Sequence, residues 1–333
     1  MLEARYYDQR DDTRVRCRLC PHDCLLKGGA RGICRVRQNL NGVLYTFNYG
    51  QAASYALDPT EKKPLYHYYP GSYLFSLGAP GCNLECAYCQ NWQISQREAP
   101  TIDLTPADVV SLALRSRRQQ PACIGIAYTY SEPSAWFEFV LDTAKLAREA
   151  GLRNVMVTNG YLNPNPLREL LGFMDAFNVD VKSMDPRFYR RVCHGKLDPV
   201  LRFAEAVYTA GKHLEVTNLV VPSLNDSDEL IERLADWLAT VSPTIPLHFS
   251  RYFPDYKLDL PPTPLVTLER AREIAMGKLH YVYLGNARGK PWNNTYCHAC
   301  GEPLILRNGL GARTVGVVDH RCAHCGSPAP IVY

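Results

Sequence analysis

Residues 78–92 read GAPGCNLECAYCQNW and place Cys82, Cys86 and Cys89 in the spacing C-x3-C-x2-C. A tetrahedral zinc site, or a fully ligated cubane iron–sulfur cluster, takes four protein ligands. This run supplies three. Three thiolates on a four-iron cluster leave one iron without a protein ligand, and an open iron is where a small molecule binds and reacts. The alternative reading is a zinc knuckle. What precedes the cysteines favours the cluster: residues 73–77, YLFSL, are an apolar, β-prone run that predicts a buried strand. Gly78 and Gly81 then permit a tight loop. The cysteines would sit just past the C-terminal end of a strand, where α/β folds place their sites.

From residue 73 onward, short apolar runs alternate with amphipathic stretches. Expected strands cover 74–77, 123–127, 154–157, 176–179, 214–221, 247–249 and 281–284. A first helix starts at Thr105, with Pro106 following and Asp108 three after the cap. Further helices are expected over 134–150, 166–172, 200–210, 227–240 and 268–276. Strands separated by helices predict a parallel sheet. A closed eight-unit barrel takes about 250 residues, and the span from Leu74 to Leu284 has room for about six or seven units. The expected fold is therefore α/β, an open partial (βα)6 barrel over residues 57–290, whose wide mouth suits a bulky or macromolecular substrate. Polar residues gather at the predicted strand ends, at 128–133, 158–160, 180–182, 217–218, 248–251 and 285–286. Each alone reads as a cap or turn; together they crowd the edge that carries the cysteines.

Before the barrel, residues 1–56 form a Cys-rich, metal-binding segment with Cys17, Cys20, Cys24 and Cys34 in the spacing C-x2-C-x3-C-x9-C. Zinc and a second iron–sulfur cluster both fit that spacing. His22 reads as a hydrogen-bonding neighbour. Two β-prone runs around Asn41-Gly42 and Gly50 predict a small sheet over 39–56. Residues 57–72, LDPTEKKPLYHYYPGS, hold three prolines and predict an ordered loop, in which Lys63 and His67 are candidates to face a substrate. After the barrel, residues 291–333 carry Cys297, Cys300, Cys322 and Cys325 as two C-x2-C-G knuckles. With a hairpin expected at 304–307 and its turn at Asn308-Gly309, they describe a zinc ribbon. Cys123 reads as a core residue and Cys193 as a helix-end thiol.

The whole chain of 333 residues has room for one large α/β domain with small appendages. A net charge of +4 with no basic block gives no reason to expect nucleic acid. The first residues lack a signal-peptide core and no apolar run approaches a membrane span, which predicts a cytoplasmic protein without a membrane partner. Eleven of the thirteen cysteines fall into the three clusters above, which points to metal rather than disulfides.

At these residues the sequence resembles the radical S-adenosylmethionine (SAM) superfamily, whose signature loop is C-x3-C-x2-C. It is most similar to the radical enzymes of the AmmeMemoRadiSam system, relatives of the pyruvate formate-lyase-activating enzymes. CRLCPHDC, GICRVR, EKKPLYHYYPGS, GCNLECAYCQNW, YTYSEP, VTNGY, VPSLNDS and LHFSRYFPDYKL carry the likeness, from Cys17 to about Cys300. The resemblance implies a [4Fe–4S] cluster on Cys82, Cys86 and Cys89, with the methionyl nitrogen and carboxylate of SAM on the open iron. It implies Tyr88, Ser131, Glu132, Asn159, Asp180 and Lys182 around that cofactor. Ser131-Glu132-Pro133 stands in place of a Gly-Gly-Glu motif, so Glu132 would hold the methionyl amine, with Asn159, Asp180 and Lys182 near the ribose and carboxylate. Reduction by flavodoxin or ferredoxin would cleave SAM to methionine and a 5′-deoxyadenosyl radical that takes hydrogen from substrate. Lys63, His67, His248 and Arg251 are then left for substrate handling. Implied partners are Memo-like and AMMECR-type proteins. Two alternatives stand beside this reading. One is a glycyl-radical activase, although such activases usually carry their extra cysteines after the radical motif, not before it. The other is a non-catalytic, zinc-rich binding module.

Overall fold

A computed structural model of the chain describes residues 1–119, 122–287 and 292–333. At its centre lies one eight-stranded sheet. Its strands are β1 (Ser54–Pro59), β2 (Tyr73–Gly78), β3 (Cys123–Tyr128), β4 (Arg153–Thr158), β5 (Ala176–Asp180), β6 (His213–Val220), β7 (Leu247–Arg251) and β8 (Val282–Gly285). They lie side by side in chain order. From β2 to β8 every pairing is parallel, whereas β1 runs antiparallel on β2. Six helices make the crossovers: α1 (Pro106–Ser116), α2 (Phe137–Glu149), α3 (Pro164–Leu171), α4 (Leu197–Thr209), α5 (Asp228–Val241) and α6 (Leu265–Met276). This is the expected open, partial barrel of six βα units, with a seventh parallel strand at its end.

The local chemistry explains the elements. The Thr105 hydroxyl accepts from the Asp108 N–H, and the Asp108 carboxylate accepts from the Thr105 N–H, closing a capping box in front of Pro106. Helix α2 buries Phe137, Val140, Leu141 and Ala144, the i, i+3, i+4, i+7 stripe of an amphipathic helix against the sheet. The inner strands are buried on both faces, which is why they read as unbroken apolar runs.

Two features differ from expectation. The segment expected to be a loop from residue 57 begins inside β1, whose register runs from Ser54 opposite Gly78 to Pro59 opposite Tyr73. Pro59 donates nothing to the ladder, and an edge strand tolerates that. The boundary expected at 56/57 thus falls within a strand, and the one at 290/291 lies outside the described residues. The small sheet also starts earlier: strands Arg37–Leu40 and Val43–Thr46 pair around Asn41 (φ 52°) and Gly42 (φ 85°), two positive φ values as a type I′ turn requires.

The C-terminal segment forms a hairpin of β9 (Pro303–Asn308) and β10 (Gly311–Thr314), and then latches under the barrel. The Tyr69 N–H donates to Val332 O, and the Val332 N–H donates to His67 O, each at 2.8 Å. The Arg307 guanidinium is fully buried 4.2 Å over the Tyr66 ring, donates to Tyr66 O and lies 3.9 Å from the buried Glu61 carboxylate. The barrel's N-terminal end is therefore closed by the chain's own tail.

Candidate active site

The cysteine loop leaves β2 at its C-terminal end. Gly78 has no room for a side chain, since a Cβ there would lie 2.5 Å from Thr129 O, and Gly81 adopts φ +102° with Val36 and Cys34 O pressed against it. The loop is then strapped to the π-helical turn Tyr189–Cys193: the Glu85 N–H donates to Cys193 O, and the Ala87 N–H donates to Val192 O. Ser131 Oγ donates to Ala79 O and fixes the loop's start. Cys82, Cys86 and Cys89 consequently face one open cavity of about 590 Å³, a volume typical of small-molecule sites.

The surroundings stabilise sulfur at each position. Cys82 Sγ accepts from the Leu84 N–H at 3.4 Å and from Asn159 Nδ2 at 3.7 Å. Cys89 Sγ meets Ser95 Oγ at 3.2 Å. Burial pushes the Cys82 thiol well above its ordinary value, and at Cys86 the hydrogen bond with Cys193 and burial act in the same direction. Such thiols need a cation to hold them as thiolates. Among the described residues, only the C-terminal cysteines bring three or more potential ligand atoms within 4.8 Å of one another. The triad is thus too wide for a single ion, and its donor set fits a polynuclear cluster.

Around the triad, Glu132 is 3% exposed and faces the cavity. Its carboxylate accepts from the Ser134 N–H (2.9 Å) and Thr158 Oγ1 (2.7 Å) on one oxygen and from the Asn159 N–H (2.8 Å) on the other. Burial raises its pKa despite those bonds. The Asn159 side chain is fully engaged: Nδ2 donates to Asn83 Oδ1 as well as Cys82, and Oδ1 accepts from the Tyr161 N–H. Lys182 Nζ lies 3.1 Å from Asp180 Oδ2; burial is the largest single influence and opposes its charge, but Asp180, Cys86, Cys193 and Tyr189 together outweigh it and the pKa is raised. Tyr88, Ser131 and Lys63 also line the cavity. Lys63 is paired to Asp58 at 2.7 Å over the Tyr130 ring, and burial lowers its pKa to about 8.

Three expected substrate residues are not at the cavity. His67 is fully buried, with Nε2 at 2.7 Å from the Tyr283 hydroxyl and Nδ1 at 3.2 Å from Pro330 O. His248 Nε2 lies 2.6 Å from Glu215, which also accepts from the His67 N–H and His213. Burial alone would raise the Glu215 pKa, yet the hydrogen bonds of His213 and His248 hold it well below its ordinary value. This is a structural network at the N-terminal ends of the strands. Arg251 turns outward, donating to Thr263 O. In their place the structure puts Asp58, Tyr130, Thr217, Ser250 and Asn286 around the cavity or on its lining residues. Cys193 is a further group that sequence reading undervalued: its thiol is buried behind Cys86, 3.6 Å from the Tyr88 hydroxyl, and does not line the cavity.

At the other end, Cys297 and Cys325 sulfurs are 3.6 Å apart and those of Cys300 and Cys322 3.7 Å, close to the ~3.8 Å edge of a zinc tetrahedron.

An open parallel barrel thus carries three thiols that face one cavity at its C-terminal edge. The family described as "Radical SAM superfamily" matches residues 77–238. An uncharacterised protein of Methanocaldococcus jannaschii is 46% identical over 340 residues, spanning 100% of both chains. The pyruvate formate-lyase-activating enzyme of Clostridium pasteurianum is 27% identical over 165 residues, 48% of this chain and 67% of that one. The structure of Streptococcus suis SuiB bound to S-adenosylmethionine superposes with a TM-score of 0.52 at 15% identity, over 68% of this chain and 53% of that one. The chain belongs to the radical SAM superfamily and is an enzyme of it.

Proposed function

We propose that the chain is a radical SAM enzyme of the AmmeMemoRadiSam type, holding a [4Fe–4S] cluster on Cys82, Cys86 and Cys89 and removing hydrogen from a substrate admitted at the open mouth. The observation that carries this reading is the set of three thiols facing one cavity, spread too far for a single ion. When bound, the cluster and SAM supply the one-electron reduction and carbon-radical chemistry for which the family is named. The chain's own residues bind and orient. Glu132 has three of about four lone-pair positions filled, leaving an acceptor for an amine. Asp180 and Lys182 offer an acceptor and a donor for a hydroxyl and a carboxylate. Asn159 holds Cys82 and the Glu132 strand end in register. Lys63, Tyr130 and Asp58 form the substrate side of the cavity.

The reductant in this reading is flavodoxin or ferredoxin, and the partners are Memo-like and AMMECR-type proteins. A structural zinc at Cys297, Cys300, Cys322 and Cys325 is supported by their mutual approach. A cytoplasmic location is supported by thirteen cysteines without a disulfide; among the described residues no helix is long and apolar enough to cross a membrane. The likeness to pyruvate formate-lyase-activating enzymes favours a second reading, a glycyl-radical activase. Anaerobic incubation of reduced protein with SAM separates these from a non-catalytic module. Formation of methionine and 5′-deoxyadenosine is expected, and Cys86→Ser abolishes it; turnover surviving in that variant would sink the cluster assignment. Mass spectrometry of each added partner then distinguishes glycyl-radical formation from modification of another substrate.

A further inference from the structure

The structure holds three cysteine sets of two kinds. In the C-terminal set all four sulfurs lie within 4.8 Å of one another. In the N-terminal set, Cys17, Cys20, Cys24 and Cys34, no three sulfurs do, although all four line one enclosed pocket. A zinc ion with Zn–S bonds of about 2.3 Å would bring its four sulfurs to about 3.8 Å apart. A four-iron cube, with each thiolate on its own corner iron, keeps them farther apart. The N-terminal quartet, like the Cys82, Cys86, Cys89 triad, lacks the close mutual approach of the C-terminal set.

Independent groups also point into this pocket. Arg37 lines it and is 1% exposed; its terminal nitrogens reach Glu138 and Arg5 O, but its Nε–H has no partner. A buried, unpartnered cation-borne donor beside sulfur matches an anionic cluster, which offers sulfide as well as thiolate acceptors. Backbone N–H groups converge likewise: that of His22 on Cys20, that of Ile33 on Cys24, and those of Val36 and Arg37 on Cys34. The His22 Nε2 is 2.6 Å from Asn83 O, and the four thiols already supply one ligand for each iron.

We infer that Cys17, Cys20, Cys24 and Cys34 hold a second [4Fe–4S] cluster, fully ligated by protein, seated against the wall of the triad's loop. That wall is thin. Asn83 lines the N-terminal pocket, follows Cys82 in the chain and bonds to Asn159, which itself touches Cys82. Cys34 O lies 2.9 Å from where a Gly81 Cβ would be. A coordinatively closed cluster cannot bind SAM, so its role is electron transfer. It takes one electron from a one-electron iron–sulfur or flavin donor protein, hands it to the site at Cys82, and returns to its starting charge. The role rests on the function proposed above; the metal site itself does not.

Metal analysis of the whole chain purified anaerobically tests the site, with about eight irons and about one zinc per chain expected. About four irons with two zincs, or about six irons from a two-iron cluster, would overturn it. Electron paramagnetic resonance of the dithionite-reduced protein should show two cluster signals, only one of them altered by SAM. The Cys82→Ala/Cys86→Ala/Cys89→Ala variant should keep about four irons and the SAM-insensitive signal; an iron-free variant would refute the assignment. If that signal persists but no wild-type signal responds to SAM, the function proposed for the triad fails while the second cluster stands. Cys24→Ser/Cys34→Ser should lose half the iron and at least tenfold of its reduction rate with a protein donor, yet keep the SAM-responsive signal under dithionite. Unchanged reduction by the protein donor would overturn the electron-transfer role.

Discussion

Replacing Glu132 by Gln separates the hydrogen bonds this carboxylate makes within the protein from the amine-holding role proposed for it. In the protein both oxygens accept, one from the Ser134 N–H and Thr158 Oγ1, the other from the Asn159 N–H. A glutamine must turn its NH2 toward a donor in either orientation. The less costly choice keeps its oxygen on Ser134 and Thr158 and sets the NH2 against the Asn159 N–H. One buried donor then goes unsatisfied, at about 1–3 kcal/mol. The unfilled acceptor position lies on the same oxygen, so the substitution also removes the acceptor proposed for the methionyl amine. A hydrogen bond to a charged group is worth about 1.5–3 kcal/mol, which corresponds to a loss of about tenfold or more in affinity. Urea unfolding measures the first effect, and equilibrium binding of SAM to the anaerobic, cluster-loaded protein measures the second. Stability that falls while SAM affinity stays within about twofold would refute the amine-holding role, leaving Glu132 as a strand-end cap. Loss of neither would refute the hydrogen-bond reading as well.

Acid sensitivity follows from His67, whose burial lowers its pKa from 6.5 to about 3. The unfolded chain binds this proton below pH 6.5 and the folded chain only near 3, so stability rises with pH across that window. Between pH 6.5 and 5 the loss is about 2 kcal/mol, and Glu215, held low in the fold, adds to it in the same direction below its unfolded value. His67→Gln should flatten the urea midpoint over pH 5–7; an unchanged slope counts against the assignment. Arg307→Met leaves Glu61 buried without its cation and should destabilise by about 3 kcal/mol or more. Adding Glu61→Gln should recover part of that in calorimetry, and full additivity of the two changes would show that they do not interact. Cys300→Ser/Cys325→Ser should remove about one zinc per chain and lower the thermal midpoint, with SAM cleavage under dithionite retained. Unchanged zinc content would place the metal elsewhere.

What the sequence revealed, and what it concealed, follows from the period of a strand. The parallel strands were legible because burial on both faces writes them as apolar runs, and the cysteine triad was legible because its spacing is local. Height within the barrel is not local. His248 and Ser250 lie on the same face of β7 but about 6.6 Å apart along it. Ser250 reaches the cavity while His248 stays among Glu215, Tyr66 and Tyr283 below. Arg251, one residue farther, points out of the barrel by alternation. Counting polar residues at a strand end merges all three. His67 fails for a different reason: its partners, Tyr283 and Pro330, are more than two hundred residues away in sequence, and no local signal announces a tail that folds back. Asp58 escaped because the three prolines that follow it, Pro59, Pro64 and Pro70, made its strand read as loop, yet it accepts from Lys62, Lys63 and Tyr130 at the cavity's rim. The residues hardest to read were therefore those whose role is set by depth and by chain return. That Cys82, Cys86 and Cys89 face one cavity, by contrast, follows from local spacing and from glycines that admit no side chain, both of which are written in the sequence itself.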